Sequence, residues 1–578
     1  MITVVVVGAV GAGVYVNRDK IGALAPAAEH ASASVPPEAK LPDDPALGPA
    51  AAAPAGCASE PEVRFYVWAW NAQAGMVLAN GGKQATEGSL MCQHKVNLKL
   101  VREDNVDQMQ ALMATFAEGL KKGEKNPASG AHFVGIMGDG SATFLKGLND
   151  RLAKLGPEYV AVVVGSAGYS RGEDKFMGPP AWKKDPQAAR GGLVAGYLRD
   201  GDWNIALKWL GDNRIPNNPD ETSYDPDALN WVAANDYIDA AQKYVSGFCT
   251  ELPNVKTKSK EKHCVDAVVT WTPGDVTAAE QKGGIVSIVS TKEYRSQMPH
   301  VVIGHKKWMS ENRKLVTGML AAMFEGGDQV KKDEAALKRA AGLSALVYNE
   351  KDAAYWYKYF HIVTEKDKQG FSVELGGSAV NNLADNLQLF GLVPGSTSIF
   401  AATYTVFGNI VKQQYPKLVP SFYPANEVVD DSYLKDLQGT PPAGGGEADV
   451  AQFTGQTVKQ VVSRRAWNIK FATGSAKFLP DAQADLDAMF KDLVVASGTL
   501  VEIHGHTDIV GTEDKNSKLS EERAFAVKNW LETQSKSNFP EGRVKVYAHG
   551  ATQPLDPNSS ETGRAKNRRV EIVLGTAS

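Results

Sequence analysis

The chain is poor in several features that would place it quickly. It has no basic excess: 62 Lys and Arg stand against 66 Asp and Glu, a formal net charge of -4. Nucleic acid, whose phosphates demand a Lys/Arg-rich face, is therefore disfavoured as a partner. Cysteine is scarce, with only Cys57, Cys92, Cys249 and Cys264 in 578 residues, an even count that agrees with an oxidising compartment. Cys249 and Cys264 flank the polar loop TELPNVKTKSKEKH between two patterned segments. Closing such a loop contributes about 3 kcal/mol, and a disulfide is expected there. Long apolar runs are also few. The N-terminal one, Ile2 to Val16, rises only ~22 Å as a helix against a hydrocarbon core of ~30 Å, and no basic region precedes it. It reads as a membrane anchor or a signal segment. The charges at Arg18, Asp19 and Lys20 fit an uncleaved anchor better, while Ala31-Ser32-Ala33 offers a cleavage site. Basic residues on that side oppose an exported orientation.

At this length two or three folded units are expected. The breaks give five segments: an anchor or signal at 1–20, an Ala/Pro-rich tether at 21–60, a large domain at 61–434, a Gly/Pro linker at 435–452 and a C-terminal domain at 453–578. Within 61–434 strand-like and helix-like stretches alternate: RFYVWAW, VNLKLV then DQMQALMATFAEGL, AHFVGIMG then SATFLKGLNDRLAKL, and YVAVVVGS. That is an α/β pattern with a mostly parallel sheet.

The run VDAVVTWTPGDVTAAEQKGGIVSIVST, with Asp266, Ala267, Trp271 and Pro273 as landmarks, resembles the exit from the second lobe in solute-binding proteins of the nitrate, taurine and thiamine-precursor type. The resemblance implies a bilobed type II periplasmic-binding-protein-like domain, with lobe one near 61–168 and 284–434 and lobe two between. Ligands of open α/β sheets sit beyond the carboxyl ends of strands. Candidate cleft residues are Trp68, Trp70 and Asn71 after the first strand, with the two indoles on one face by alternation. Asp139 and Ser141 follow the third strand, where either also suits a helix cap. Ser170 and Arg171 lie in the loop GSAGYSRGEDK, Asp200, Asp202 and Trp203 precede a helix, and Trp271 and Asp275 close the second lobe. Asp200 and Asp202 repel an anion and suit a cation, an amine or a hydroxyl-rich ligand, whereas Ser170 and Arg171 suit an oxyanion. The solute's charge stays open on these residues.

Enzyme readings fail. Gly168 to Gly172 spells G-x-S-x-G, but EDKFMGPP follows and cannot begin the required helix. His504 and His506 share a strand face without a third ligand at metal spacing. No catalytic residue, metal or cofactor is expected.

Four landmarks in order, IKFATGSAKFLPDA (469–482), VEIHGHTDIVG (501–511), NSKLSEERAFAV (516–527) and GRAKNRRVEIVL (563–574), resemble the OmpA-like peptidoglycan-binding domain over its full extent. This implies a compact α+β sandwich and a site for the diaminopimelate stem peptide. That zwitterionic centre needs an acid for its ammonium and a fork-shaped base for its carboxylate. Asp508 and Arg523 fit those roles, with Thr507 and Asn516 as further contacts. Arg568 either lines the pocket or forms a structural ion pair.

The whole resembles fusions of a phosphate-type ABC-transporter substrate-binding domain with an OmpA-family domain. It implies a periplasmic, membrane-anchored envelope protein that holds peptidoglycan and presents an unidentified small solute to a transporter or envelope complex. The alternative is a stator-like, force-bearing component without a solute. Against it, Ile2 to Val16 has no carboxylate of the kind a proton-carrying helix needs.

Overall fold

The structure, a computed structural model, describes residues 53–198, 201–439 and 447–577. The expected N-terminal anchor or signal, most of the Ala/Pro-rich tether, part of the second linker and Asp200 lie outside the described residues. Among those described, no helix is long and apolar enough to cross a membrane. The described chain divides into two compact units, the first running to Ala451 and including Lys491–Gly498, the second comprising Gln452–Phe490 and the described residues from Thr499 on.

The first unit is built on two sheets. One has six strands in the order Ser378–Val380, Ala161–Ser170, Pro299–His305, Phe133–Met137, Glu62–Val67 and Asn97–Arg102. Glu62–Val67 runs parallel to both its neighbours, because the helices Ala74–Asn80 and Val106–Lys121 carry the chain back between strands. Phe133–Met137 and Ala161–Ser170 are buried along their whole length, which explains their unbroken apolar sequence. The other sheet has five strands in the order Val286–Ser290, Lys175–Gly178, Ala267–Thr270, Leu193–Gly196 and Asn230–Ala233.

The chain passes between these sheets at Ser170–Lys175 and returns at Ser290–Pro299. The two passages are tied together. Ser170 Oγ and Thr291 Oγ1 are 2.6 Å apart, the Gly172 N–H donates to Thr291 Oγ1 (2.8 Å), and the Thr291 N–H donates to the Asp174 carbonyl (3.1 Å). Beside them Lys175 Nζ meets Asp275 Oδ2 at 2.5 Å, with the two side chains 1% and 0% exposed. The Gly376 N–H donates to the same Oδ2 at 3.2 Å. The strand Val286–Ser290 pairs with Lys175–Gly178 in the second sheet. The return therefore lies after Ser290 and not near 284, since sequence order alone does not say which sheet a buried strand joins.

Cys249 and Cys264 are disulfide-bonded at directly paired positions of a two-stranded ribbon. A second disulfide joins Cys57 to Cys92.

The second unit has a four-stranded sheet in the order Gln460–Trp467, Val570–Thr576, Leu500–Gly505 and Val544–Ala548. The helix Glu513–Gln534 makes the crossover between the parallel pair Leu500–Gly505 and Val544–Ala548. Its first strand is Gln460–Trp467, upstream of the IKFATGSAKF landmark. That segment forms only a Phe471–Phe478 bridge around a turn with Gly474 at φ 62°, a conformation that takes the chain out of a strand.

The Lys175–Asp275 pair gives a stability test. Lys175→Met leaves Asp275 charged and buried, and is expected to cost about 3–5 kcal/mol. Lys175→Met with Asp275→Leu is expected to recover much of that loss. Thermal and urea melts of the three proteins check this; equal destabilisation in the single and double variants contradicts it.

Candidate functional site

The best-formed site lies at the carboxyl end of Leu500–Gly505. A Cβ on Gly505 would stand 2.1 Å from the Ser520 carbonyl oxygen, so glycine lets this strand lie directly against the helix Glu513–Gln534. Asn516, Ser520, Arg523, Ala524, Val527 and Leu531 form the buried stripe of that helix, at the spacing of one helical face. Arg523 is thus placed on the inner face. Past the strand, the His506 N–H donates to the Arg569 carbonyl (3.0 Å) and the Thr507 N–H to the Gly550 carbonyl (2.8 Å). These bonds fix the direction in which Asp508 leaves the sheet.

Asp508 is 8% exposed and Arg523 6%. Asp508 Oδ2 accepts from Arg568 Nη1 at 2.6 Å, and its Oδ1 accepts the Val510 N–H at 2.9 Å. Asn516 Nδ2 donates to the Asp508 carbonyl at 3.2 Å. Arg568 also donates to Glu561 Oε1 at 2.6 Å, and these two hydrogen bonds hold its guanidinium above its ordinary value.

Arg523 differs from Arg568. It donates to the carbonyls of Ser475 (3.1 Å) and Ala472 (3.5 Å) and lies over the Phe471 ring at 5.0 Å. It makes no ion pair among the described residues. Burial, with the neighbouring Arg568 charge, lowers its affinity for a proton, and Asp508 partly offsets this. Thr507 Oγ1 is buried and has no partner among the described residues. The pocket therefore combines a carboxylate, a paired guanidinium and a guanidinium with unused donors, a set that matches one carboxylate and one ammonium on a common centre.

Sequence reasoning missed Glu561 and the Ala472 and Ser475 carbonyls. The signal for the carbonyls was the TGS turn inside the first landmark.

In the first unit the sequence-derived residues lie at strand ends but in differing roles. Trp68 and Trp70 come after the last strand residue, Val67, and do not share a strand face: Trp68 stacks on Trp271 (centroids 5.9 Å), while Trp70 packs against His300 (5.7 Å). Asn71 is buried and donates to the Trp356 carbonyl (3.1 Å). Neither Asp139 nor Ser141 caps the helix Ser141–Leu152. Gly140 occupies the cap, Ser141 Oγ bonds the Gly138 carbonyl and Asp139 accepts from Gln297 Nε2 at 2.7 Å.

Ser170 is the last residue of a strand and not in a loop, and its hydroxyl is spent on Thr291. Arg171 lies over Tyr169 at 3.7 Å and its guanidinium bonds the Arg295 carbonyl. Neither is an open oxyanion donor. Asp275 pairs with Lys175, and Trp203 packs against Trp231 and Tyr415 (6.5 and 4.7 Å). Asp202 opens the helix Gly201–Asp212 beside Asp174. The stretch after Ser170 continues into the strand Lys175–Gly178, not a helix, so no nucleophile elbow forms.

Residues 470–568 match the OmpA family. The peptidoglycan-associated lipoprotein of Pseudomonas aeruginosa is 32% identical over 134 residues, covering 23% of this chain and 77% of that protein. Outer membrane porin F of the same species is 36% identical over 113 residues, 20% of this chain and 32% of the porin. The chain thus spans about a third of that porin's length. Among solved structures, the periplasmic nitrate-binding protein of Synechocystis aligns with 70% of this chain and 94% of its own, at 7% identity and a TM-score of 0.47.

Burial pushes the Asp174 carboxyl up to about 6, above an unfolded value of about 3.9. The folded state holds this proton more tightly, so the associated stability is present below about pH 4 and is lost as pH rises through 6, by up to about 3 kcal/mol. Asp174→Asn is expected to flatten this dependence. Melting curves at pH 4.5 and 7 measure it, and an unchanged difference between the two pH values contradicts the assignment.

Proposed function

The chain belongs to the OmpA family through its C-terminal unit, and on that premise we propose that it is a non-enzymatic envelope protein docked on peptidoglycan. In this reading Asp508 accepts from the ammonium of the diaminopimelate stem, and Arg523 grips its carboxylate through a bidentate pair. Arg568 holds Asp508 in place and shares the carboxylate. Thr507 and Asn516 complete the contacts. The observation that carries the proposal is the pairing of a buried carboxylate with a buried guanidinium that has no carboxylate of its own among the described residues. A buried charge left without a counterion is costly, and a ligand carboxylate supplies it. The match to the peptidoglycan-associated lipoprotein supports the same target.

The first unit then acts as a bilobed, type II binding domain of the periplasm, spanning about 61–434 and tethered at its N-terminus, that captures or senses a small solute. What supports this is the pair of adjacent passages between two sheets, which lets two lobes move about one line, and the collection of polar and aromatic side chains at strand ends on either side of it. Peptidoglycan fixes the protein's position, and a transporter or envelope complex receives the ligand or its signal.

Co-sedimentation with purified sacculi tests the wall site. Asp508→Ala and Arg523→Ala are each expected to lower the bound fraction at least about tenfold, equivalent to about 1.4 kcal/mol. Undiminished binding by both variants sinks the assignment.

A further inference from the structure

The junction between the two sheets of the first unit holds polar atoms that the protein itself leaves unsatisfied. Trp68 Nε1, Tyr237 OH, Trp271 Nε1, Thr272 Oγ1 and Glu173 Oε1 have no hydrogen-bond partner among the described residues. Each of these residues is no more than 2% exposed. Buried polar atoms are nearly always paired, so a group of orphans in one region suits a ligand that supplies donors and acceptors to them.

These atoms come together through the topology. Thr270 pairs with Lys175 in the antiparallel ladder of Ala267–Thr270 with Lys175–Gly178. Beyond that pair, Lys175 meets Asp275, whose N–H donates to the Trp271 carbonyl at 3.2 Å, and Glu173 interacts electrostatically with the same Asp275. Trp271 stacks on Tyr237 at 3.9 Å and on Trp68 at 5.9 Å. Trp68 follows a strand of the first sheet, while Trp271 and Tyr237 follow strands of the second. The aromatic stack therefore bridges the two sheets at their carboxyl edges.

The charge balance there is negative. Glu173 and Asp174 are adjacent, and Asp174 lies against Asp202. Lys175 is committed to Asp275, Arg102 to Asp104 and Glu350, and Arg171 lies 3.7 Å from Asp449. Burial, with repulsion from Asp174, holds the Glu173 carboxyl well above the usual range. A cation relieves that repulsion, an anion adds to it, and indole and phenol faces bind organic cations.

We infer that the first unit takes a small organic cation bearing at least one hydrogen-bond acceptor, held between Glu173 and the stack of Trp68, Trp271 and Tyr237, with Thr272 as a further contact. This rests on the solute-capture reading above and names its ligand class.

The test uses the full chain, purified without refolding and dialysed. Choline, 4-aminopyridine and spermidine are titrated as cationic probes at constant ionic strength, and nitrate, sulfate and ethanesulfonate as anionic ones. Melting temperature and tryptophan fluorescence are followed. At least one cation is expected to give a saturable rise of a few degrees together with a fluorescence change. Glu173→Gln and Thr272→Val are each expected to weaken it at least tenfold while sacculus binding is unchanged. Saturable stabilisation by an anion and by no cation overturns the ligand class but leaves solute capture standing. No response to any of the six probes overturns both. Unweakened cation binding in the two variants overturns the location.

Discussion

The first unit depends on how its chain crosses twice between two sheets. Ser170 and Thr291 share a hydrogen bond across those passages, and the buried Lys175–Asp275 pair lies alongside. A buried ion pair adds little net stability compared with apolar packing, but breaking it strands a charge. Its consequence here is placement. It holds the first residues of Lys175–Gly178 next to the helix after Trp271, and so sets where Glu173, Asp174 and Thr272 stand. The aromatic stack of Trp68, Trp271 and Tyr237 then spans the remaining distance between the sheets.

The C-terminal unit solves a related problem on a smaller scale. In its proposed pocket a guanidinium is held firmly and makes no ion pair among the described residues. Arg523 occupies the inner stripe of a helix, where carbonyls and an aromatic ring hold it without supplying a counter-charge. Arg568, more exposed, takes the role of partner to Asp508. Two arginines in one pocket thus do different work because their burial and partners differ.

The two sites were not equally legible. Asp508, Asn516, Ser520 and Arg523 belong to one strand end, one loop and the helix that follows, so local pattern already grouped them. Arg568 was left between pocket and ion pair, and the structure shows the ion pair with Asp508 itself. In the first unit the α/β alternation located the strands, and the rule that ligands sit beyond strand ends pointed to the loops after them. It did not separate residues that face the junction from those spent on structure. Asp139, Ser141, Ser170 and Arg171 looked like ligand groups, yet their bonds go to Gln297, Gly138, Thr291 and Arg295. Thr272 adjoins the candidates Trp271 and Asp275, Glu173 lies in the loop GSAGYSRGEDK with nothing to set it apart from Ser170 and Arg171, and Tyr237 was not among the candidates.

The sequence by itself determined the order of elements, the polar loop closed by Cys249 and Cys264, and the closeness of Asp508 to Arg523. These depend on short-range periodicity and on contacts within a single strand–loop–helix unit. Only the tertiary structure decided which sheet Val286–Ser290 joins, that Trp68 and Trp70 part company, and that Glu173, Tyr237, Trp271 and Thr272 gather at one junction. Those facts depend on register and on crossings between sheets, where residues far apart in the chain meet and no local pattern records the encounter.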